Sequence, residues 1–327
     1  PSALRPVRRL DVEMAQATAT APAPALWGTT TTISGVDRMS FATALISALD
    51  AATKGAPIPR VRALHLPPPE AAESRSGEFC ALELDDGALG LSYVLLGDTL
   101  QRLLVSGEAD SIVGMDALAL ARHYAQPPEV ARGAAGAGSS PDDQALRRTL
   151  GFAAANALSR TVMERMGFAP PRASDSIAGI DPQAGDHIGM VGLFSPLLKQ
   201  VTAAGAQLTV IELNPEYVGD HDGYRVTLDA AELETCNKVL STSTILLNHT
   251  VDNMLAHCRR ASHVALIGPS AGCLPQPLFD RGVSVIGGSW VTDRAGFIDV
   301  LRRGDAWGTF AYKFALTPAD WQRATRR

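Results

Sequence analysis

The chain has 327 residues, 46% of them hydrophobic, with a formal net charge of −5. This is length and apolar content for two domains with real cores, and it excludes a disordered polymer. There is no basic block and no apolar stretch of membrane-span length, so neither nucleic acid nor a membrane is an expected partner.

Residues 1–25 contain a low-complexity run, ATATAPAPA, and read as a flexible leader without the charged-then-apolar order of a secretory signal, which points to the cytoplasm. Between 37 and 52, Phe41, Leu45, Ile46 and Leu49 recur at helical spacing behind Ser40, a good N-cap. Arg60 to Leu66 reads as a strand. Two further strand-like runs, Glu78 to Leu84 and Ala88 to Leu96, flank Asp85-Asp86-Gly87, a hairpin turn signal. A helix is expected from Met115 to Tyr124. The first domain is therefore α+β, spanning 26–126.

Residues 127–141 (PPEVARGAAGAGSSP) predict a linker or loop. Ser140-Pro141-Asp142-Asp143 then opens a long helix to about Met166 with a cap, a proline and carboxylates at its positive end. Ala153, Ala154, Ala155 and Ala157 make a thin face on it that admits another backbone, with Asn156 among them. From Ile188 to Pro215 an apolar run, a Phe194-Ser195-Pro196 break, a helix, Gly205 and a second apolar run spell one βαβ unit. The cadence repeats through strands at Lys238 to Ser241, Val264 to Gly268 and Val283 to Gly287, and helices at Thr250 to Cys258 and Arg294 to Leu301. The second domain, 142–320, is predicted to be Rossmann-like: a doubly wound, mostly parallel α/β sheet.

In such a sheet ligands bind beyond the carboxyl ends of the strands, so function is sought there. The first strand end carries Ser195 at a helix start, without GxGxxG spacing. At the second, Glu212-Leu213-Asn214-Pro215, Glu212 stands where nucleotide sites place a ribose-binding carboxylate, and Asn214 adds an amide. The third, from Ser241 to Thr250, is rich in hydroxyls and amides, including Thr242, Thr244, Asn248 and Thr250, with His249 beside them. The fourth, Gly268-Pro269-Ser270-Ala271-Gly272, is a small-residue loop whose N–H groups could face a carboxylate. Histidines 187, 221, 249, 257 and 263 show no metal-ligand spacing, no GxSxG elbow exists, and Cys80, Cys236, Cys258 and Cys273 form no CxxC pair. Glu212 is the expected base, with His249 the alternative.

Five stretches resemble the heavy-metal chelation domain family: LGFAAANALSR (150–160), VGLFSPLLKQ (191–200), the strand ending at Pro215, TSTILLNHTVDNML (242–255) and IGPSAGCLPQPLFDRGVSVIGG (267–288). The resemblance implies an enolase-N-terminal-like domain joined to a Rossmann-like one, in a homodimer, enclosing a polar pocket for a metal or a metal-chelating small molecule. Positions it maps onto the pocket are Asn156, Glu212, Asn248, Thr250, Gly268, Pro269 and Ser270. A divalent metal ion is the candidate cofactor it brings, and metal chelation or metallophore-type metabolism the function. Two other readings stay open: a transferase using a nucleotide-type cofactor such as S-adenosylmethionine, and a non-catalytic metal-binding protein.

Overall fold

The computed structural model describes residues 39–70, 78–95, 98–126, 141–175 and 177–326. The leader at 1–25, the loop at 127–140 and the Ser140 cap lie outside these residues.

Helix α1 (Phe41–Thr53) begins where expected, its first turn closed by Thr43 N–H donating to Ser40 Oγ at 3.2 Å, and it buries Phe41, Leu45, Ile46 and Leu49. Strands β1 (Val61–His65), β2 (Phe79–Leu84) and β3 (Leu89–Tyr93) form an antiparallel meander. Short helices α2 (Thr99–Val105), α3 (Glu108–Ser111) and α4 (Ala117–Ala121) follow, and α4 runs into a 3-10 turn, Arg122–Ala125. A three-stranded antiparallel sheet backed by helices agrees with the α+β organisation expected of an enolase-N-terminal-like domain.

The long helix α5 (Pro141–Arg165) lies across the meander. Ala153, Ala154, Ala155 and Ala157 are fully buried, and a Cβ added to Gly90 on β3 would stand 2.1 Å from Ala153 O and 2.2 Å from Ala157 N. Only glycine on the strand facing alanine on the helix permits this approach. So α5, although it follows the expected boundary, packs on the first sheet.

The second sheet contains β4 (His187–Val191), β5 (Gln207–Ile211), β6 (Gly219–His221), β7 (Tyr224–Thr227), β8 (Lys238–Thr242), β9 (His263–Ile267), β10 (Val285–Val291) and β11 (Ala311–Leu316). Their order is β11-β10-β9-β8-β4-β5-β7-β6, parallel from β10 to β7 with an antiparallel strand at each edge. Helices α6 (Ser195–Ala203), α7 (Val251–His257), α8 (Gln276–Phe279), α9 (Arg294–Arg303) and α10 (Pro318–Thr325) complete the domain. The doubly wound reading holds, while β6, β7, β11 and α10 are additions to it.

The two sheets are joined by burial on both sides of the meander. One hydrophobic core runs from Phe41 and Leu82 through Phe152 to Leu246 and Leu266. On the opposite face Ala81, Leu89 and Leu91 pack against Phe297 and Leu301 of α9. There Arg302 Nη2 donates to His65 Nδ1 at 2.8 Å, and since a guanidinium can only donate, the His65 proton sits on Nε2 and is given to Glu83 Oε2 at 2.9 Å. No described helix is long and apolar enough to cross a membrane.

Candidate functional site

The four loops singled out above follow β4, β5, β8 and β9, which are neighbours in the sheet, so the fold gathers them on one edge. The chain leaves β4 for β5 on one side and later enters β8 on the other, which puts the topological switch point between β4 and β8. Gly192 fits there against Thr242, whose Cγ2 would lie 3.1 Å from an added Cβ.

Glu212 is 5% exposed, and its carboxylate is already engaged: Oε1 accepts from Leu193 N–H at 2.8 Å and Oε2 from Leu213 N–H at 3.1 Å. Burial raises its pKa, against the opposing pull of those two donors. It ties the β4 loop to the β5 loop. Asn214 accepts from Glu216 N–H at 3.0 Å and so caps the turn Pro215–Tyr217, while Ser195 is the first residue of α6.

After β8 the polar side chains pair among themselves. Thr242 and Thr244 hydroxyls lie 3.1 Å apart, and Asn248 Oδ1 accepts from the Thr250 hydroxyl at 2.7 Å and its N–H at 3.2 Å. All four are half-buried. His249 adopts φ +58°, a left-handed conformation uncommon outside glycine, and this lays its imidazole on the Tyr124 ring at 5.6 Å between centroids. Burial, with the charge of Arg148 adding to it, lowers its pKa to about 4, so the ring is neutral at pH 7. Among the described residues neither ring nitrogen of His249 is hydrogen-bonded.

In the loop after β9 part of the donor set is spent on the fold. Gly268 N–H donates to Gly287 O at 2.9 Å, Ala271 N–H donates to Gly268 O at 3.0 Å, and Pro269 has no N–H. That leaves the N–H groups of Ser270 and Gly272 as the loop's remaining backbone donors. Its role is a clamp: Ser270 Oγ meets Ser243 Oγ at 2.9 Å, and Gly268 lies so close to Ser243 that a Cβ would be 2.0 Å from the hydroxyl. From α5, Asn156 Nδ2 donates to Ser270 O at 2.9 Å and to Leu91 O at 2.7 Å, and Leu274 N–H donates to Ser159 Oγ at 2.9 Å. Asn156, 2% exposed, thus bonds the first sheet and the loop after β9 through one amide, while among the described residues its Oδ1 has no partner. Replacing it by alanine orphans two buried carbonyls, and we expect a loss of about 2–4 kcal/mol in urea denaturation.

Sequence reasoning missed Tyr124, Ser243, Arg148 and Ser159 in this region. Two signals were available: Arg148, Phe152, Asn156 and Ser159 recur at helical spacing, which places them on one face of α5. Ser243 lay within the hydroxyl-rich run itself.

Among the described residues no three or more His, Cys, Asp or Glu side chains are grouped to hold a metal ion. His187 hydrogen-bonds Thr209, His257 pairs with Glu234 and His263 reaches Ala178 O, each at a separate place. These donors do not fit a resident metal site. A cavity of about 370 Å³ opens elsewhere, between α3, α4 and α5, lined by Glu108, Ser111, His123, Gln126 and Arg147 among others.

Comparison with known proteins places this geometry. Residues 175–319 match the family DUF364, described as "Putative heavy-metal chelation". The matched residues belong to the α/β domain, which is similar to this family over somewhat less than half of the chain. A DUF364 protein of unknown function from Pyrococcus horikoshii superimposes with a TM-score of 0.59 at 16% identity, over 85% of this chain and 99% of its own. A second, from Desulfitobacterium hafniense, gives 0.57 at 16% identity, over 84% of this chain and 98% of its own. At such identity the likeness shows the fold, and its extent shows that both domains share it. No curated protein matches the chain. The DUF364 match begins ten residues after the end of α5, in keeping with that helix packing on the first sheet.

Proposed function

We propose that the protein binds a small polar, metal-chelating metabolite at the carboxyl edge of the DUF364 sheet, against α5 of the first domain. The observation that carries this reading is the set Thr242, Thr244, Asn248 and Thr250: four half-buried polar side chains beside the switch point that, among the described residues, hydrogen-bond one another and their own backbone. Hydroxyls and amides have more than one donor or acceptor position each, so such a set retains capacity for a ligand rich in oxygen and nitrogen. The family description supports metal as cargo of that ligand rather than as a fixture of the protein, since the protein's own donors are scattered.

Within this reading Glu212 shapes the loop through two backbone N–H groups, and each of its oxygens keeps a further acceptor position, so it stays a candidate base. His249, neutral and with both nitrogens unengaged, is a second group available to a ligand's proton.

The test is native mass spectrometry with elemental metal analysis on protein purified without chelators or an affinity tag. A co-purified small molecule, with or without stoichiometric metal, is expected, and Thr244→Val and Asn248→Ala should each weaken its retention by up to about tenfold, the equivalent of one lost hydrogen bond. Retention unchanged in both variants would place the ligand elsewhere.

A further inference from the structure

Arg148 stands on α5 one turn before Phe152, near the Tyr124 hydroxyl and the His249 ring, both of which its charge influences. Among the described residues its guanidinium makes one hydrogen bond, Nη1 donating to Leu247 O at 3.4 Å. A guanidinium has five N–H donors in a planar fork, and a single long contact to a carbonyl uses little of it. Burial lowers its pKa, so the charge is held partly out of water.

Other shielded guanidinium groups here are matched by carboxylates. Arg160 Nε pairs with Glu164 at 2.8 Å and Arg281 Nε with Asp252 at 2.7 Å. Asp252 is the carboxylate whose charge reaches His249, and it pairs with Arg281 through Oδ1 and accepts from Phe41 N–H at 2.8 Å through Oδ2 rather than pairing with Arg148. A partly desolvated cation without a countercharge is costly, and a bound anion removes the cost. The neighbouring groups suit one. His249 is held on the Tyr124 ring by its left-handed backbone with both nitrogens unspent, and the Tyr124 hydroxyl is occupied by donating to Leu246 O.

We propose that Arg148 and His249 form an oxyanion subsite of the crevice, taking a carboxylate or phosphate group of the small molecule bound there. The guanidinium supplies charge and a two-pronged set of donors, and the imidazole a neutral donor beside it. This rests on the crevice reading above and narrows its ligand to an anionic class. The competing role for Arg148 is a cap on the Leu247 carbonyl alone.

The experiment follows the Arg148 Nε–H and His249 ring nitrogens by NMR in the full chain while inorganic phosphate, and in a parallel series malonate, replaces chloride at constant ionic strength. Saturable shifts of both residues are expected with at least one anion. Phosphate alone would assign a phosphate ligand and malonate alone a carboxylate. Arg148→Met should weaken binding at least about tenfold, and Arg148→Lys, which keeps the charge without the fork, by less. Saturation should also raise the His249 pKa, because the anion offsets the guanidinium, a response that a carbonyl cap would not give. Signals that do not respond to either anion, or equal binding by Arg148→Met, would overturn the subsite. If the native mass spectrum still shows a ligand sensitive to Thr244→Val, only the subsite falls and the crevice reading stands.

Discussion

Gly90→Ala is expected to destabilise the protein by about 3 kcal/mol, measured as a lower urea midpoint with the slope unchanged. The added methyl carbon would sit 2.1 Å from Ala153 O and 2.2 Å from Ala157 N, both backbone atoms of α5, so no side-chain rotation relieves the contact. The helix has to move off β3. Because Asn156 and Ser159 on that helix hold the loop after β9, the displacement also reaches the proposed site, and ligand retention should fall with stability. A midpoint equal to that of the wild type would mean that the helix does not rest on the strand as described.

The second large effect is a loss of stability in acid that belongs to His249. Burial, then the Arg148 charge, hold its pKa near 4 against an ordinary value of 6.5. The unfolded chain takes up this proton as the pH drops below 6.5, whereas the folded chain resists until about 4. Stability from the neutral ring is therefore complete above pH 6.5 and drains as the pH falls towards 4, by on the order of 3 kcal/mol in all. His249→Asn removes the titration while keeping a residue that accepts a left-handed backbone. Urea denaturation near neutrality and again near the lower pKa should show the wild type losing more than the variant, by on the order of 2 kcal/mol. Parallel losses in the two proteins would refute the assignment.

Much of the architecture could be read from periodicity because burial dictates it. The strands from β4 to β10 that fill the middle of the second sheet are short apolar runs, and α1 shows its apolar face at helical spacing. The thin Ala153 to Ala157 face was legible as a place of close backbone approach, but its partner, Gly90, was not, since nothing local to a strand glycine says which helix it meets. Short edge elements were missed for a related reason. Strands β6 and β7 have only three and four residues, and β11 is held by pairing with β10 rather than by a continuous apolar pattern.

The site was legible as a place more than as a set of roles. Alternation of strand and helix located the edge, and the hydroxyl-rich run from Thr242 to Thr250 lies on it. What the chain order could not reveal was how the donors and acceptors are spent. Glu212 accepts from Leu193 and Leu213 N–H while holding two loops together, and the glycine loop at 268 spends the N–H groups of Gly268 and Ala271 on the fold. Asn156, expected beside the pocket, proves to be the amide that bonds the first sheet to the loop after β9. Arg148 went unnoticed because its surroundings depend on contacts distant in sequence, among them Asp252 pairing with Arg281.

The most direct test of the crevice itself is hydrogen–deuterium exchange with and without the co-purified molecule. The account predicts that protection appears together in the loops at 192–194, 212–214, 242–250 and 268–272 and in the middle of α5. Protection confined to the residues around the separate cavity, near Glu108, His123 and Arg147, would contradict it and move the binding site into the first domain.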